Sequence, residues 1–205
     1  DTFGCVDSVF LTEINVFKPN VEFEVSDSLI CKGDIISIAN KSTGNSLSFT
    51  WTVDSITHYS RSVTQQFNTP GLFDIKLIAI DTLSCIDSLE KINRIEVAEI
   101  PEANFFTDIL YKECPPLVSN FSDTTEGSIQ EWLWHFGDGN SRIDKNPTHI
   151  FTKSGIYDIS LIVTNYANCK DTLIKNKHVE VGGPNGHFSF DKDSICIPDA
   201  VKFNL

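Results

Sequence analysis

LFDIKLIAI at residues 72–80 and IYDISLIVT at residues 156–164 decide the fold class. In the first, Phe73, Ile75, Leu77 and Ala79 share one face; in the second, Tyr157, Ile159, Leu161 and Val163 do the same. Period-two alternation puts successive side chains on opposite sides of an extended chain, the mark of a strand with one face against a core. SFTWTV repeats the pattern through Phe49, Trp51 and Val53, and the turn-rich stretches NKSTGNS, FGDGNS and NYANCKD separate the strands. No stretch carries a helical period.

The two alternating stretches lie 84 residues apart, and the rest of the chain keeps that register. Cys31, Cys114 and Cys196 are spaced by 83 and 82 residues, each seven residues before an apolar position, Ile38, Phe121 and Phe203. A second series, Cys5, Cys85 and Cys169, sits in the pattern Cys-x-Asp-Ser/Thr-apolar, as CVDSV, CIDSL and CKDTL. Trp51 matches Trp134, Phe67 matches Phe151, Gly71 matches Gly155, Phe73 matches Tyr157 and Val97 matches Val181. Pro19, Pro101 and Pro184 mark the joins, where a fixed φ shortens the slack between units. The register predicts the end of a preceding repeat at 1–17, whole repeats at 18–99 and 100–182, and the start of a following one at 183–205. About seven short strands per unit, bounded by turns, predict an all-β chain of tandem immunoglobulin-like sandwiches.

Composition narrows the function. The chain has 40% apolar and 21% charged residues, 15 Phe and no Met, the usage of a folded domain. No apolar run approaches the roughly 20 residues that span a bilayer, so direct membrane insertion is not expected. A formal net charge of −12 without a basic run opposes nucleic acid and anionic lipid as partners. The missing Met, and an end at Phe203, Asn204 and Leu205 inside an expected strand, suggest a segment of a longer polypeptide.

The stretch WLWHFGDGNSRIDKNPTHIFTKSGIYDISLIVTN, residues 132–165, resembles the PKD domain. The resemblance rests on Trp134, Phe136, Gly137, Asp138, Gly139, Asn146, Pro147, His149, Phe151, Gly155 and Tyr157, which it implies are structural. The first repeat keeps Trp51, Phe67, Pro70, Gly71 and Phe73 but lacks the Gly-Asp-Gly turn, so it is read as a degenerate unit. The resemblance implies a non-catalytic spacer, adhesin segment or accessory module outside the cell. The paired cysteines look most like the long surface proteins of Bacteroidota, including gliding-motility adhesins and other type IX secretion cargo. Partners would then be neighbouring repeats, secretion or motility machinery and surface polysaccharide. Asp-Ser/Thr-apolar or Asp-Thr-Thr places hydroxyls at Ser8, Ser28, Ser55, Thr82, Ser88, Thr124, Thr172 and Ser194, which resembles the O-glycosylation sequon of Bacteroidota. The same dipeptides are good turn formers and recur with the repeat.

Reactive chemistry is not indicated. His58, His135, His149, His178 and His187 have no metal-ligand spacing, and Asp138 lacks the further carboxylates of a calcium loop. The rings of His135 and His149 are expected to support the turn after the Trp134 strand. No nucleophile elbow, phosphate loop or Cys-x-x-Cys is present, so no catalytic residue, metal site or cofactor is assigned. Trp51 and Trp134 are expected in the cores, whereas Trp132 is the better candidate for an exposed ring that could stack on a sugar. That ring is what a competing reading requires, a carbohydrate- or protein-binding accessory module of a secreted hydrolase.

In a seven-strand sandwich Cys31 and Cys114 precede the second strand, and Cys85 and Cys169 open the last one. The two cysteines of one repeat then lie at opposite ends, whereas a disulfide needs Cα atoms within roughly 7 Å. This favours a pair between repeats, Cys31–Cys169, with the partners of Cys5, Cys85, Cys114 and Cys196 expected outside this segment, in further repeats of the same polypeptide. Pairs within repeats, Cys31–Cys85 and Cys114–Cys169, are the alternative.

Overall fold

The computed structural model describes residues 18–183, together with the backbone of two short strands, Ser189–Phe190 and Phe203–Asn204. The predicted partial repeats at 1–17 and 183–205, with Cys5, Cys196, Ser8, Ser194 and His187, lie outside the described residues except for Gly183 and those two strands. The chain divides into two compact units, Asp1–Glu99 and Ile100–Leu205.

In the first unit β1 (Phe23–Val25), β3 (Ile35–Asn40) and β6 (Val63–Gln66) form one antiparallel sheet in the order β1-β3-β6. The facing sheet runs β2-β8-β7-β4-β5, from β2 (Leu29–Cys31), β8 (Ile86–Ala98), β7 (Gly71–Ile80), β4 (Ser48–Val53) and β5 (Ile56–His58). The second unit repeats this topology. Its first sheet is β9 (Phe105–Thr107), β11 (Leu117–Asp123) and β14 (Thr148–Phe151), with β11 central. Its second is β10 (Tyr111–Lys112), β16 (Lys170–Val181), β15 (Gly155–Asn165), β12 (Ile129–His135) and β13 (Ser141–Arg142), paired in that order.

Among residues 18–183 each sandwich shows eight strand segments where about seven strands were expected. The difference lies in the first strand, which breaks and changes sheets: β1 pairs antiparallel with β3, whereas β2 pairs parallel with β8. β9 and β10 divide in the same way between β11 and β16.

The alternating residues close the cores. Phe23, Ile38, Trp51, Phe67, Ile75, Leu77 and Ile95 are buried in the first unit, and Phe105, Phe121, Trp134, Phe136, Phe151, Ile159 and Leu161 in the second. Phe23 meets Trp51 edge-on at 5.5 Å, and Phe105 meets Trp134 at 5.2 Å. Burial of each such side chain contributes about 1.5–3 kcal/mol. The indole N–H groups are satisfied within the same layer, Trp51 donating to Ser60 O and Trp134 to Asp144 O, each at 3.0 Å. Neither ring is available to a ligand.

Candidate functional site

Three features recur at matched positions: the turn before the last strand, the cap on the incoming chain, and a lysine over the first aromatic residue. The turn is built by an Asx side chain. Asp81 Oδ1 accepts from Leu83 N at 2.8 Å and Cys85 N at 2.9 Å; Asn165 Oδ1 accepts from Ala167 N at 2.9 Å and Cys169 N at 3.0 Å. Ser84 and Asn168, the residues before the cysteines, take left-handed φ of 65° and 62°. Asp and Asn suit such turns because the short side chain replaces a backbone acceptor.

Two residues after each cysteine, an aspartate caps the chain that begins the repeat. Val21 N donates to Asp87 Oδ2 at 3.1 Å, and Ala103 N donates to Asp171 Oδ2 at 2.7 Å. The Asp of the Cys-x-Asp motif therefore fixes the leading end of each unit, a role that reading it as a turn or sequon element missed. Lys18, with its Nζ 2.9 Å from Asp87, and the Val21 amide hold the Asp87 carboxyl below the ordinary range. Lys91 lies 4.4 Å from the Phe23 ring centroid and Lys175 4.1 Å from that of Phe105. These lysines were also missed, although their 84-residue spacing is present in the sequence.

The cysteines occupy opposite ends of each unit. Cys31 is in register with Ala98, the last residue of β8, whereas Cys85 immediately precedes Ile86, the first. A 13-residue strand at about 3.3 Å per residue separates them by far more than the roughly 7 Å that a disulfide allows. Cys114 lies just beyond β10, whose Lys112 is in register with Val181, and Cys169 just precedes β16. Cys31 and Cys169 are each engaged in a disulfide, and Cys85 and Cys114 are free thiols. The alternative pairs Cys31–Cys85 and Cys114–Cys169 are therefore not formed.

The Gly-Asp-Gly turn is a packed support. Gly137 takes φ 74°, and a Cβ there would meet Asp158 O at 2.6 Å. Asp138 Oδ2 is 2.8 Å from His149 Nε2, and its Oδ1 accepts from Asn140 N at 3.0 Å. His149 is buried and stacked on Phe136, with centroids 4.0 Å apart and planes within 4°. Partial burial disfavours the Asp138 carboxylate, but the hydrogen bonds from His149 and Asn140 outweigh that cost and hold its pKa below the ordinary value. Asn146 Oδ1 accepts from Asp123 N at 2.9 Å, Pro147 O accepts from Phe121 N at 2.9 Å, and Tyr157 donates its hydroxyl to Lys153 O at 2.7 Å. His135, expected to help, is exposed on the outer face of β12 instead. In the first unit a two-residue hairpin replaces the turn: Asp54 and Ser55 take φ of 46° and 62° between the paired Val53 and Ile56.

Other candidates are occupied or bare of chemistry. Trp132 is not an exposed platform. It packs against the core, donates its indole N–H to Asp123 Oδ2 at 2.9 Å and has Lys145 Nζ 5.6 Å from its ring centroid. A shallow polar cleft lined by Asp138, Asn140, Thr152, Lys153 and Tyr157 adjoins the turn. His178 lies 3.0 Å from Thr107 Oγ1, and burial followed by the nearby Lys175 charge lowers its pKa. Among the described residues no three metal-binding side chains come together. Ser28, Ser55, Thr82, Ser88, Thr124 and Thr172 are all exposed.

Two successive sandwiches with one strand order, matched turns and matched caps define a tandem protein of the immunoglobulin-like β class. Within it, residues 98–181 match the family model of the PKD domain. Among curated relatives, the chain is 39% identical over 54 residues to collagenase ColQ1 of Bacillus cereus strain Q1, covering 26% of this chain and 6% of that protein. It is 35% identical over 66 residues to the pre-pro-metalloprotease PrtV of Vibrio cholerae, covering 32% of this chain and 7% of that one. The crystal structure of the PrtV PKD1 domain is 28% identical, covers 40% of this chain and 98% of that domain, and has a TM-score of 0.35. A structure from a 1.5-MDa bacterial ice-binding adhesin covers 82% of this chain and 67% of that one at 8% identity, with a TM-score of 0.50, a likeness of fold alone. The chain thus spans less than a tenth of either curated relative.

Proposed function

We propose that this chain is a non-catalytic, extracellular spacer whose repeats are stapled head to tail by disulfides, with Cys31–Cys169 closing the joint between units. The observation that supports the reading is the sorting of cysteines: Cys31 and Cys169 are each in a disulfide while Cys85 and Cys114 are free. Chain connectivity supports the pairing. Cys31 is in register with Ala98, Cys169 is two residues from the Asp171 that caps Ala103, and only residues 99–102 separate Ala98 from Ala103. Five Cα–Cα steps reach at most about 18 Å, so the two cysteines belong to ends that the chain itself tethers. Disulfides persist in oxidising surroundings, consistent with an extracellular location.

A staple at each joint restricts bending and converts a beaded chain into a stiffer rod. Such a rod suits a long surface filament of the type IX-secreted, gliding-motility adhesin kind, and exposed Asp-Ser/Thr hydroxyls suit glycans that shield it. Non-reducing peptide mapping of the oxidised 1–205 chain tests the pairing: a Cys31–Cys169 peptide with alkylatable Cys85 and Cys114 is expected, and either within-repeat pair would overturn it. Similarity to a collagenase and a metalloprotease favours a second reading, an accessory module of a secreted hydrolase. Binding to a glycan or collagen array by the isolated chain would select that reading over the spacer.

A further inference from the structure

One histidine ties the first strand of the second unit to its last. β16 carries extra residues opposite β15, since Tyr157 pairs with Val179 but Ile159 pairs with Lys175. A bulge of this kind re-aims the side chains it carries. Here it brings His178 within reach of β9: Nε2 lies 3.0 Å from the buried Thr107 Oγ1, and the ring meets Phe105 edge-on at 5.5 Å. Lys175, at the other end of the bulge, donates to Phe105 O at 2.6 Å and has its Nζ 4.1 Å from the centroid of the same ring. β9 belongs to the three-stranded sheet and β16 to the five-stranded one, so the two side chains clip the sheets together where the chain leaves β9 for β10. The first unit keeps the lysine clip, as Lys91 on Phe23, but has Arg94 and Val25 where the second has His178 and Thr107.

The charges around the ring offer a proton little support. On β16, Lys175 is the charge that acts on His178, while Lys177 and Glu180 are exposed. Asp108, just after β9, gives its two carboxylate oxygens to Asn120, Asp158 of β15 takes the Lys177 amide, and Lys112 of β10 donates to Pro116 O. Burial, and then the Lys175 charge, hold the imidazole below its ordinary range. A protonated ring still has an N–H for the Thr107 hydroxyl, so loss of that bond is not the trigger. The trigger is charge: a half-buried imidazolium beside an ammonium that is itself fixed to Phe105 O. Relief requires one of the two clips to swing out, and either departure loosens β9.

We infer that His178 is a proton-sensitive latch on β9, closed when the ring is neutral and released as it gains a proton, with no counterpart at Arg94 of the first unit. This stands whether the chain is a spacer or an accessory module. Because folding lowers the pKa, the stabilisation is fully present above the unfolded value of about 6.5 and is lost as pH falls below it, the loss being complete beneath the folded value. The second unit therefore yields at β9 in mildly acid surroundings, whereas Arg94 keeps its charge throughout.

Two matched amides report the latch. Asp108 N donates to Asn120 O at 3.2 Å just beyond Thr107, and Ser26 N donates to Ser37 O at 2.9 Å just beyond Val25. Hydrogen exchange of both is followed by NMR in the 1–205 chain from about pH 7.5 to about pH 5.5, corrected for its intrinsic pH dependence, while the His178 ring is titrated in the same samples. Protection at Asp108 should fall by about threefold or more, with a midpoint at that of the ring, while Ser26 changes little. In His178→Gln, which keeps a hydrogen-bonding side chain without the charge, the Asp108 step should vanish. Equal losses at Asp108 and Ser26, no loss at either, a midpoint apart from that of the ring, or a step that survives in His178→Gln overturns the inference. Should His178→Gln fail to fold, the parent chain decides by the first three of these outcomes.

Discussion

Gly137 and Gly139 flank the same aspartate and look alike in sequence, yet they stand in different surroundings. Both take left-handed φ, 74° and 91°, but a Cβ on Gly137 would meet backbone Asp158 O at 2.6 Å, while one on Gly139 meets nothing within 4 Å. Gly139→Ala should therefore cost about 1 kcal/mol, the conformational penalty alone. Gly137→Ala adds a clash with backbone that cannot swing away, and about 2–4 kcal/mol is expected. Urea midpoints of the two variants check the ranking; equal losses would show that the Asp158 contact is relieved cheaply. Asp138 makes a pH-dependent contribution. Its folded pKa is depressed, so the stabilisation is fully present above the unfolded value of about 3.9 and is lost as pH falls through the folded pKa. Asp138→Asn should flatten the acid limb of the stability profile below about pH 4 and change the neutral plateau less steeply with pH. An unchanged acid limb would remove Asp138 from the account. The role of Asp138 as a turn support was legible from the motif. The exposed position of His135 was not, because it depends on which side of β12 faces the core at the end of the strand.

The strands of each unit differ in how much of their pairing the sequence advertises. The alternation of β7 and β15 was readable, since Ile75, Leu77 and Ala79 of one and Tyr157, Ile159, Leu161 and Val163 of the other are buried on one face. The short strands β2 and β10 were not, since two or three residues carry no period and are held by register to β8 and β16. Nor were the bulges legible that let β8 and β16 bend. Asn93 and Lys177 both take φ of 51°, and their amides donate to Asp74 Oδ1 at 2.7 Å and Asp158 Oδ1 at 2.6 Å. Matched aspartates at matched bulges imply that each unit folds by the same local rules despite the loss of the Gly-Asp-Gly turn in the first. The caps are testable at this scale. Asp171→Ala should release the Ala103 amide, costing about 1 kcal/mol or less for a half-exposed hydrogen bond. Hydrogen exchange at Ala103 should accelerate by about fivefold, while the amides of β15 keep their protection. Acceleration spread evenly over the second unit would mean that Asp171 supports the whole sandwich rather than its leading end.

Joint rigidity makes a claim on the whole molecule that neither unit makes alone. The proposed Cys31–Cys169 staple would close a loop of about 140 residues, and the chain-entropy treatment assigns such a closure about 5 kcal/mol when both units unfold. When only the second unit unfolds, the folded first unit already shortens the free loop to about 70 residues, and the same treatment still gives about 4 kcal/mol. The proposed staple would therefore stabilise each unit against separate opening and tie their transitions together. In Cys31→Ser/Cys169→Ser the urea transitions should shift down by the equivalent of about 2–4 kcal/mol, since engineered removals fall short of the entropic limit. Trp51 is the only tryptophan of the first whole repeat, and Trp132 and Trp134 belong to the second, so Trp51→Phe resolves the two transitions by fluorescence. Small-angle scattering of the native-state variant should show a broader distribution of dimensions, because residues 99–102 then act alone as the link. A variant that keeps both the midpoints and the scattering profile of the parent would mean that the proline-containing link, not the disulfide, sets the joint, and a rod built on staples would have to be abandoned for one built on short connections.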